Sequence, residues 1–327
     1  MSTLRTYEDI KEWKESEIHQ HLSDMKSLNS FHDIVMLKVL DIAIERLDLG
    51  KPPCHFCWFI AGSGGRYEQG IVSDQDHGIV FESFSEENEH YFLQLGKEIS
   101  DGMAIVGYPY CNGMIMSSNP LWCKSLEQWK EQLHMWMEDG SWKSIRNLQI
   151  FFDSRCLYGE EEYVRYLKMY IFDYQSKNPY LLQRLIENIK HIKKAINPLG
   201  QLIVMNKGEH YGSIDLKYSA FIPYVNAIRV LSIKEGLLKT STEERMKELA
   251  KIDHLTPLMN KSIINFQVLL NYRLSLVKVI DYDDTHFLNV NQLNLAQKKQ
   301  LKRILKDGQS IHQYVLNMIK KGDDYGV

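Results

Sequence analysis

The sequence has no apolar run long enough to cross a bilayer, and its opening, MSTLRTYEDIKEWKES, lacks the hydrophobic core of a secretory signal. A cytoplasmic protein with no membrane partner is therefore expected. Cysteine is scarce: five in 327 residues, an odd set that suits reduced thiols better than a disulfide framework. Strong charge of either sign is missing as well. The formal net charge of -3 argues against a generally basic nucleic-acid binder, although a local basic groove would survive that average. Several catalytic signatures are absent. No H-E-x-x-H occurs, and no Ser-His-Asp or Cys-His set can be recovered from residue order. Cys54-His55-Phe56-Cys57 is half of a zinc site without its other half, since Cys111, Cys123 and Cys156 stand alone. A buried thiol at Cys57 is the better reading, and no helix is expected to start at Cys54 for thioredoxin-like chemistry. Internal repeats and low-complexity tracts are lacking too.

What is present describes a globular chain of two-domain size, with 44% hydrophobic and 25% charged residues. Residues 1–50 read as an N-terminal helical arm: Ile18, Leu22, Met25 and Leu28 recur at helical spacing, as do Met36, Leu40, Ala43 and Leu47. KPPC at 51–54 stops any helix. From 51 to about 160 the pattern alternates. Phe56–Ala61 and Gly78–Phe81 are short apolar strands, while Phe92, Leu95 and Ile99, then Trp129, Leu133 and Trp136, mark helices. Leu148–Phe152 reads as another strand, ending at Asp153. This alternation argues for an α/β domain. Residues 161–327 are helical in pattern, with Leu181, Leu185, Ile189 and Ile192 forming one stripe and Pro257 breaking or restarting a helix. The whole chain reads as α+β. The tryptophans at 58, 122, 129, 136 and 142 fit core and domain-interface packing better than a base-stacking surface.

The chemistry concentrates in GSGGRYEQGIVSDQDHGIVFE, residues 62–82. Asp74 and Asp76 are two apart, so on an extended chain both carboxylates leave from one face. Buried together they repel and call for a cation. Gly62-Ser63-Gly64-Gly65 follows a strand and offers backbone amides to phosphate oxygens. It is neither a Walker A loop nor the spaced dinucleotide fingerprint. Asp153, at a strand end, is a candidate third carboxylate, and three such groups hold two Mg²⁺ ions about 4 Å apart. Arg66 either assists a phosphate or pairs with an acid of its own loop. Asp215 and Lys217, in the helical half, form a buried ion-pair set or place Lys217 at an interdomain cleft.

These residues closely resemble a known signature. Residues 62–82 are similar to GSxGRxEQxxxTDQDxxLV of the nucleotidyltransferases of unknown specificity, the DUF294 type, with Ser73 where threonine is usual. CNGMIMSSNPLW resembles that family's CxGxVMAxNPxW, FFDSRCLYG its FxDxRxVxG, and GSIDLK a recurring string of its C-terminal helical domain. The family is related to the N-terminal domain of the PII-uridylylating and glutamine synthetase adenylylating enzymes, within the polymerase-β-like superfamily. The resemblance implies a small mixed sheet at 51–160 and a helical substrate-binding domain at 161–327. It implies Mg²⁺ (or Mn²⁺) on Asp74, Asp76 and Asp153, and a nucleoside triphosphate against Gly62 and Ser63; Gly64, Arg66 and Lys217 are further candidate nucleotide contacts read from the residues themselves. It implies transfer of a nucleoside monophosphate to a hydroxyl of an unidentified acceptor, such as a regulatory protein. Many members carry sensory modules ahead of this unit; with only a short helical arm there, such input is expected to be missing or supplied by a separate sensory partner. A non-catalytic nucleotide-binding module and a nucleic-acid end-modifying enzyme are the alternatives.

Overall fold

Two helices precede the first strand. Thr6 caps α1 (Tyr7–Glu17) in a reciprocal arrangement with Asp9, and Asp24 caps α2 (Met25–Leu47) by accepting from Ser27 N. The break between them, at 18–24, splits the stripe that the spacing of Ile18 to Leu28 predicted. α2 then stops at Asp48 in the left-handed region, two residues before Gly50 and the KPPC segment. The structure, a computed structural model, describes residues 4–276 and 282–324. They fall into two units, Met1–Ile171 and Phe172–Val327.

In the first unit, β1 (Phe56–Ile60) lies centrally in a four-stranded mixed sheet, beside β2 (His77–Phe81), β3 (Cys123–Ser125) and β4 (Arg155–Gly159), in the order β3-β2-β1-β4. β1 runs antiparallel to β2, with Phe56 opposite Phe81 and Ile60 opposite His77, and antiparallel to β4 across a bulge; β2 and β3 are parallel. Every residue of β1 and β2 is buried, which explains why FCWFI and HGIVF do not alternate with polar residues. Phe56 and Phe81 meet Phe92 of α4 (Glu86–Ile105) on one face. Phe59 meets Trp129 of α5 (Leu126–Asp139) and Phe151 of α6 (Trp142–Phe152) on the other. α1 and α2 extend the layer made by α4. Trp58, Trp122, Trp129 and Trp136 are core residues, as expected; Trp142 is 67% exposed and is not.

One expectation fails. Leu148–Phe152 is the second half of α6, not a strand, and β4 begins after it. Ser141 caps the helix by accepting from Ser144 N, and the buried residues Ile145, Leu148, Phe151 and Phe152 keep helical spacing. A five-residue apolar run viewed alone cannot distinguish these states. Asp153 therefore ends a helix.

In the second unit, α8 (Tyr180–Ile189) follows α7 (Glu161–Lys177) and ends earlier than the stripe to Ile192 predicted. Two short strands, β5 (Ser213–Asp215) and β6 (Phe287–Asn289), add an antiparallel ribbon to a mostly helical unit. A π-helical turn, Lys217–Phe221, leads into α9 (Ile222–Lys234), which is buried around nearly its whole circumference. α9 packs against α8, α10 (Thr242–Leu249) and α12 (Leu295–Asp324). Ser241 caps α10, and Pro257 lies in the first turn of α11 (Thr256–Ser275), so it restarts a helix rather than breaking one. The helical expectation for residues 277–279 lies outside the described residues. Among the described residues, no helix is long and apolar enough to cross a membrane.

Candidate functional site

β1 runs into a tight turn, α3 (Gly62–Gly65), closed by Gly65 N donating to Ala61 O at 2.8 Å and Arg66 N to Gly62 O at 3.3 Å. Helix geometry leaves the first amides of such a turn without intrahelical acceptors. Two of its glycines are dictated by contact. Gly62 has φ +55°, and a Cβ there would lie 2.1 Å from Asp76 Oδ2; a Cβ on Gly65 would lie 2.0 Å from the Asp153 carbonyl oxygen. The turn thus rests directly on two of the aspartates. Gly62→Ala should displace Asp76 and weaken divalent-ion binding on the order of 10–100-fold, read by calorimetry.

Along 73–77 the residues alternate between buried (Ser73, Gln75, His77) and half-buried (Asp74, Asp76), so the two carboxylates share a face. The intervening side chains are locked inward. Trp58 Nε1 donates to His77 Nδ1 at 3.2 Å, His77 Nε2 donates to Gln75 Oε1 at 2.9 Å, and Gln75 Nε2 donates to the carbonyls of Ser100 and Tyr108. Gln75 N also donates to Pro109 O, and His77 N to Ile115 O. These bonds pin the 108–117 loop alongside and deliver Cys111 to the pair: ligand-type atoms of Asp74, Asp76 and Cys111 all lie within 4.8 Å of one another. Burial, then the neighbouring Asp76 carboxylate, push the Cys111 thiol up to about 12. A small cavity, lined among others by Ser63, Gly64, Gln69, Asp74 and Asp76, lies here. The two carboxylates supply oxygen ligands of the kind a divalent cation takes, and the turn amides beside them suit phosphate oxygens.

Asp153 is placed differently from the expectation. It is fully buried, and its Oδ2 accepts from Arg66 Nη1 at 2.8 Å, while Arg66 Nε donates to Glu68 Oε2 at 2.8 Å. Its carboxylate lies outside the 4.8 Å group. Burial opposes the Arg66 charge, but the Glu68 and Asp153 carboxylates more than offset it and raise its pKa. Arg155 supports the turn from below: its Nε donates to Gly64 O at 3.2 Å and its Nη2 pairs with Asp33 at 2.6 Å. Asp215 accepts from Lys193 Nζ at 3.1 Å, and the two form an ion pair. Lys217, at the start of the π-helical turn, contacts Tyr282 OH at 3.2 Å and His286 Nε2 at 3.3 Å. It is part of the second unit and is not among the residues grouped around Asp74.

Comparison with known families decides what these parts belong to. The family model described as Putative nucleotidyltransferase DUF294 matches residues 16–143, and that described as Putative nucleotidyltransferase substrate binding domain matches residues 179–318. The chain belongs to the DUF294 nucleotidyltransferase family. No curated protein matches it closely enough to count as a relative. The N-terminal DUF294 match contains the glycine turn, the aspartate pair and Cys111, and the C-terminal one contains Lys217. Sequence reasoning passed over Cys111, Gln69 and Arg155 as site residues. All three stand inside the DUF294 motifs, so their signal is the motif rather than any spacing.

A pH-sensitive anchor on α2 holds the loops beside the site. His32 of α2 is fully buried, with Nε2 donating to Gly70 O at 3.0 Å and Nδ1 accepting from Tyr108 OH at 2.7 Å. Burial, reinforced by Lys14, lowers its pKa to about 3. Between pH 3 and 6.5 the unfolded chain then binds more protons than the folded one, so stability falls as pH drops below 6.5. By pH 5 His32 alone removes about 2 kcal/mol. Urea midpoints at pH 7 and 5 measure this, with the drop smaller in His32→Gln.

Proposed function

We propose that the chain transfers a nucleoside monophosphate from a nucleoside triphosphate to a hydroxyl of an acceptor, in the cytoplasm. The observation that carries this is the convergence of Asp74 and Asp76 on one face beside the Gly62–Gly65 turn. Asp74 and Asp76 hold the divalent cation, Mg²⁺ or Mn²⁺. When bound, that ion supplies charge neutralisation for the triphosphate and acidifies the attacking hydroxyl. The amides of Gly62, Ser63 and Gly64 bind phosphate oxygens, and the Ser63 hydroxyl, 3.5 Å from that of Ser73, is held for the same purpose.

The acceptor oxygen bonds to the α-phosphorus, the bond to the bridging oxygen breaks, and pyrophosphate leaves; positioning carries the rate, with no protein nucleophile. Asp153 is the third carboxylate. Arg66 holds it at rest, and moving the guanidinium from Asp153 to an incoming phosphate would free Asp153 for the hydroxyl side. Lys217, whose ammonium meets a tyrosine hydroxyl and a neutral imidazole, is assigned to phosphate or acceptor in the domain whose family name is substrate binding. The kinship with uridylylating enzymes makes a protein hydroxyl, such as a tyrosine, the acceptor of choice.

The engagement of Asp153 by Arg66 favours one second reading, a module that binds nucleotide without turnover. Titrating Mg²⁺ and each nucleoside triphosphate by calorimetry, followed by a pyrophosphate assay, separates the two. Binding with pyrophosphate release supports the transferase; binding without it supports the module.

A further inference from the structure

We infer that Cys111 is the third protein donor of the Asp74/Asp76 site, and that the site accordingly favours thiophilic divalent ions of the cobalt, zinc and cadmium kind over magnesium. The inference rests on the cation reading proposed above and adds the ligand that sets its selectivity. An all-carboxylate pair is a hard, oxygen-only site of the sort Mg²⁺ accepts. A sulfur within 4.8 Å of both carboxylates changes that character, because thiolates bind soft and borderline ions and bind Mg²⁺ poorly.

The cysteine is there by construction. Asp76 and Cys111 are 35 residues apart, and the 108–117 loop is tied to 75–77 by Gln75 N to Pro109 O at 3.2 Å and His77 N to Ile115 O at 3.0 Å. Gly113 N donates to Cys111 Sγ at 3.3 Å, fixing the side chain that the turn presents. A second observation points independently to a guest. Gln69, only 2% exposed, lines the same cavity as Asp74 and Asp76, and its Oε1 accepts no hydrogen bond, although its Nε2 is satisfied by Ser73 Oγ. A buried amide oxygen without a donor is costly, and a water on a bound ion would provide one. When the sulfur binds, the metal–sulfur bond forms as the thiol proton leaves to the buffer, so no oxidant or reductant is needed.

Tighter binding of Co²⁺ than Mg²⁺ does not discriminate by itself, since oxygen sites show it as well. The test is the change in selectivity, read spectroscopically and by calorimetry on the full chain without added nucleotide. Wild-type protein titrated with Co²⁺ should develop a near-ultraviolet thiolate-to-cobalt band. Cys111→Ser should lack that band and lose at least about 10-fold in Co²⁺ affinity, while Mg²⁺ affinity changes less than about threefold. The double variant Asp74→Asn/Asp76→Asn should bind neither ion at this site. Cadmium NMR on wild-type protein reads sulfur ligation without substituting the cysteine, which covers the case of a misfolded Cys111→Ser. Co²⁺ binding with no sulfur band, or equal weakening of both ions in Cys111→Ser, overturns the role of Cys111 and leaves the aspartate site standing. Failure of wild-type protein to bind any of the three ions overturns the aspartate site and the inference with it.

Discussion

Replacing Arg66 with methionine should lower the stability of the first unit by about 3–5 kcal/mol, the usual cost of stripping one partner from a buried ion pair. The guanidinium is a counter-ion of two carboxylates, Glu68 at 2.8 Å and Asp153 at 2.8 Å, on side chains 2% and 0% exposed. Without it, both acids stay in a low-dielectric interior beside the turn and must protonate, relax or open the fold. Chemical denaturation at pH 7 measures the loss. Adding Glu68→Gln and Asp153→Asn to Arg66→Met should recover much of it, because the cost lies in the buried negative charge that Arg66 offsets rather than in lost packing. A loss below about 1 kcal/mol would mean that solvent or another partner reaches the acids.

The second large effect is opposite in kind. Asp74→Asn/Asp76→Asn should remove transferase turnover, on the order of 10³-fold or more if the pair carries the charge stabilisation assigned to it. It should leave the unfolding midpoint unchanged or slightly raised when no metal is present, because two half-buried carboxylates on one face repel each other. Gln75 and His77, which lock the segment, are untouched by the change. Stability and turnover must therefore separate in this variant, whereas in Arg66→Met both should suffer. Full turnover in the double variant would remove the aspartates from the reaction.

Much of this arrangement was legible in the sequence because it is local. The i, i+2 spacing of Asp74 and Asp76 and the glycine turn after an apolar strand need only backbone geometry to be read. The parts that were not legible depend on chain folding over distance. Cys111 reaches Asp76 through loop amides pairing with 75–77, and Arg155 reaches Gly64 from β4, the strand paired with β1 but nearly a hundred residues later in the chain. No periodicity encodes either contact. Asp153 was misplaced on a strand because Leu148–Phe152 is apolar without interruption, and the helical phase is set by Ile145 and the Ser141 cap upstream. The β5–β6 ribbon escaped detection for a simpler reason: three-residue strands 70 residues apart carry no pattern of their own. The long helices of the second unit were readable, and their ends were less so, as with α8 stopping at Ile189.

If the aspartate pair and glycine turn transfer a nucleotidyl group, label carried in the α-phosphate of a nucleotide must end up on an acceptor. Purified protein is incubated with ATP, UTP, CTP or GTP labelled in the α-phosphate, with Mg²⁺ or Co²⁺, in a cell extract supplying acceptors, and covalently bound label is followed. The account predicts label on a macromolecule from at least one nucleotide, with stoichiometric pyrophosphate, and none from Asp74→Asn/Asp76→Asn. Wild-type protein that binds the nucleotide yet yields neither label nor pyrophosphate, or a double variant that labels as well as wild type, would contradict it.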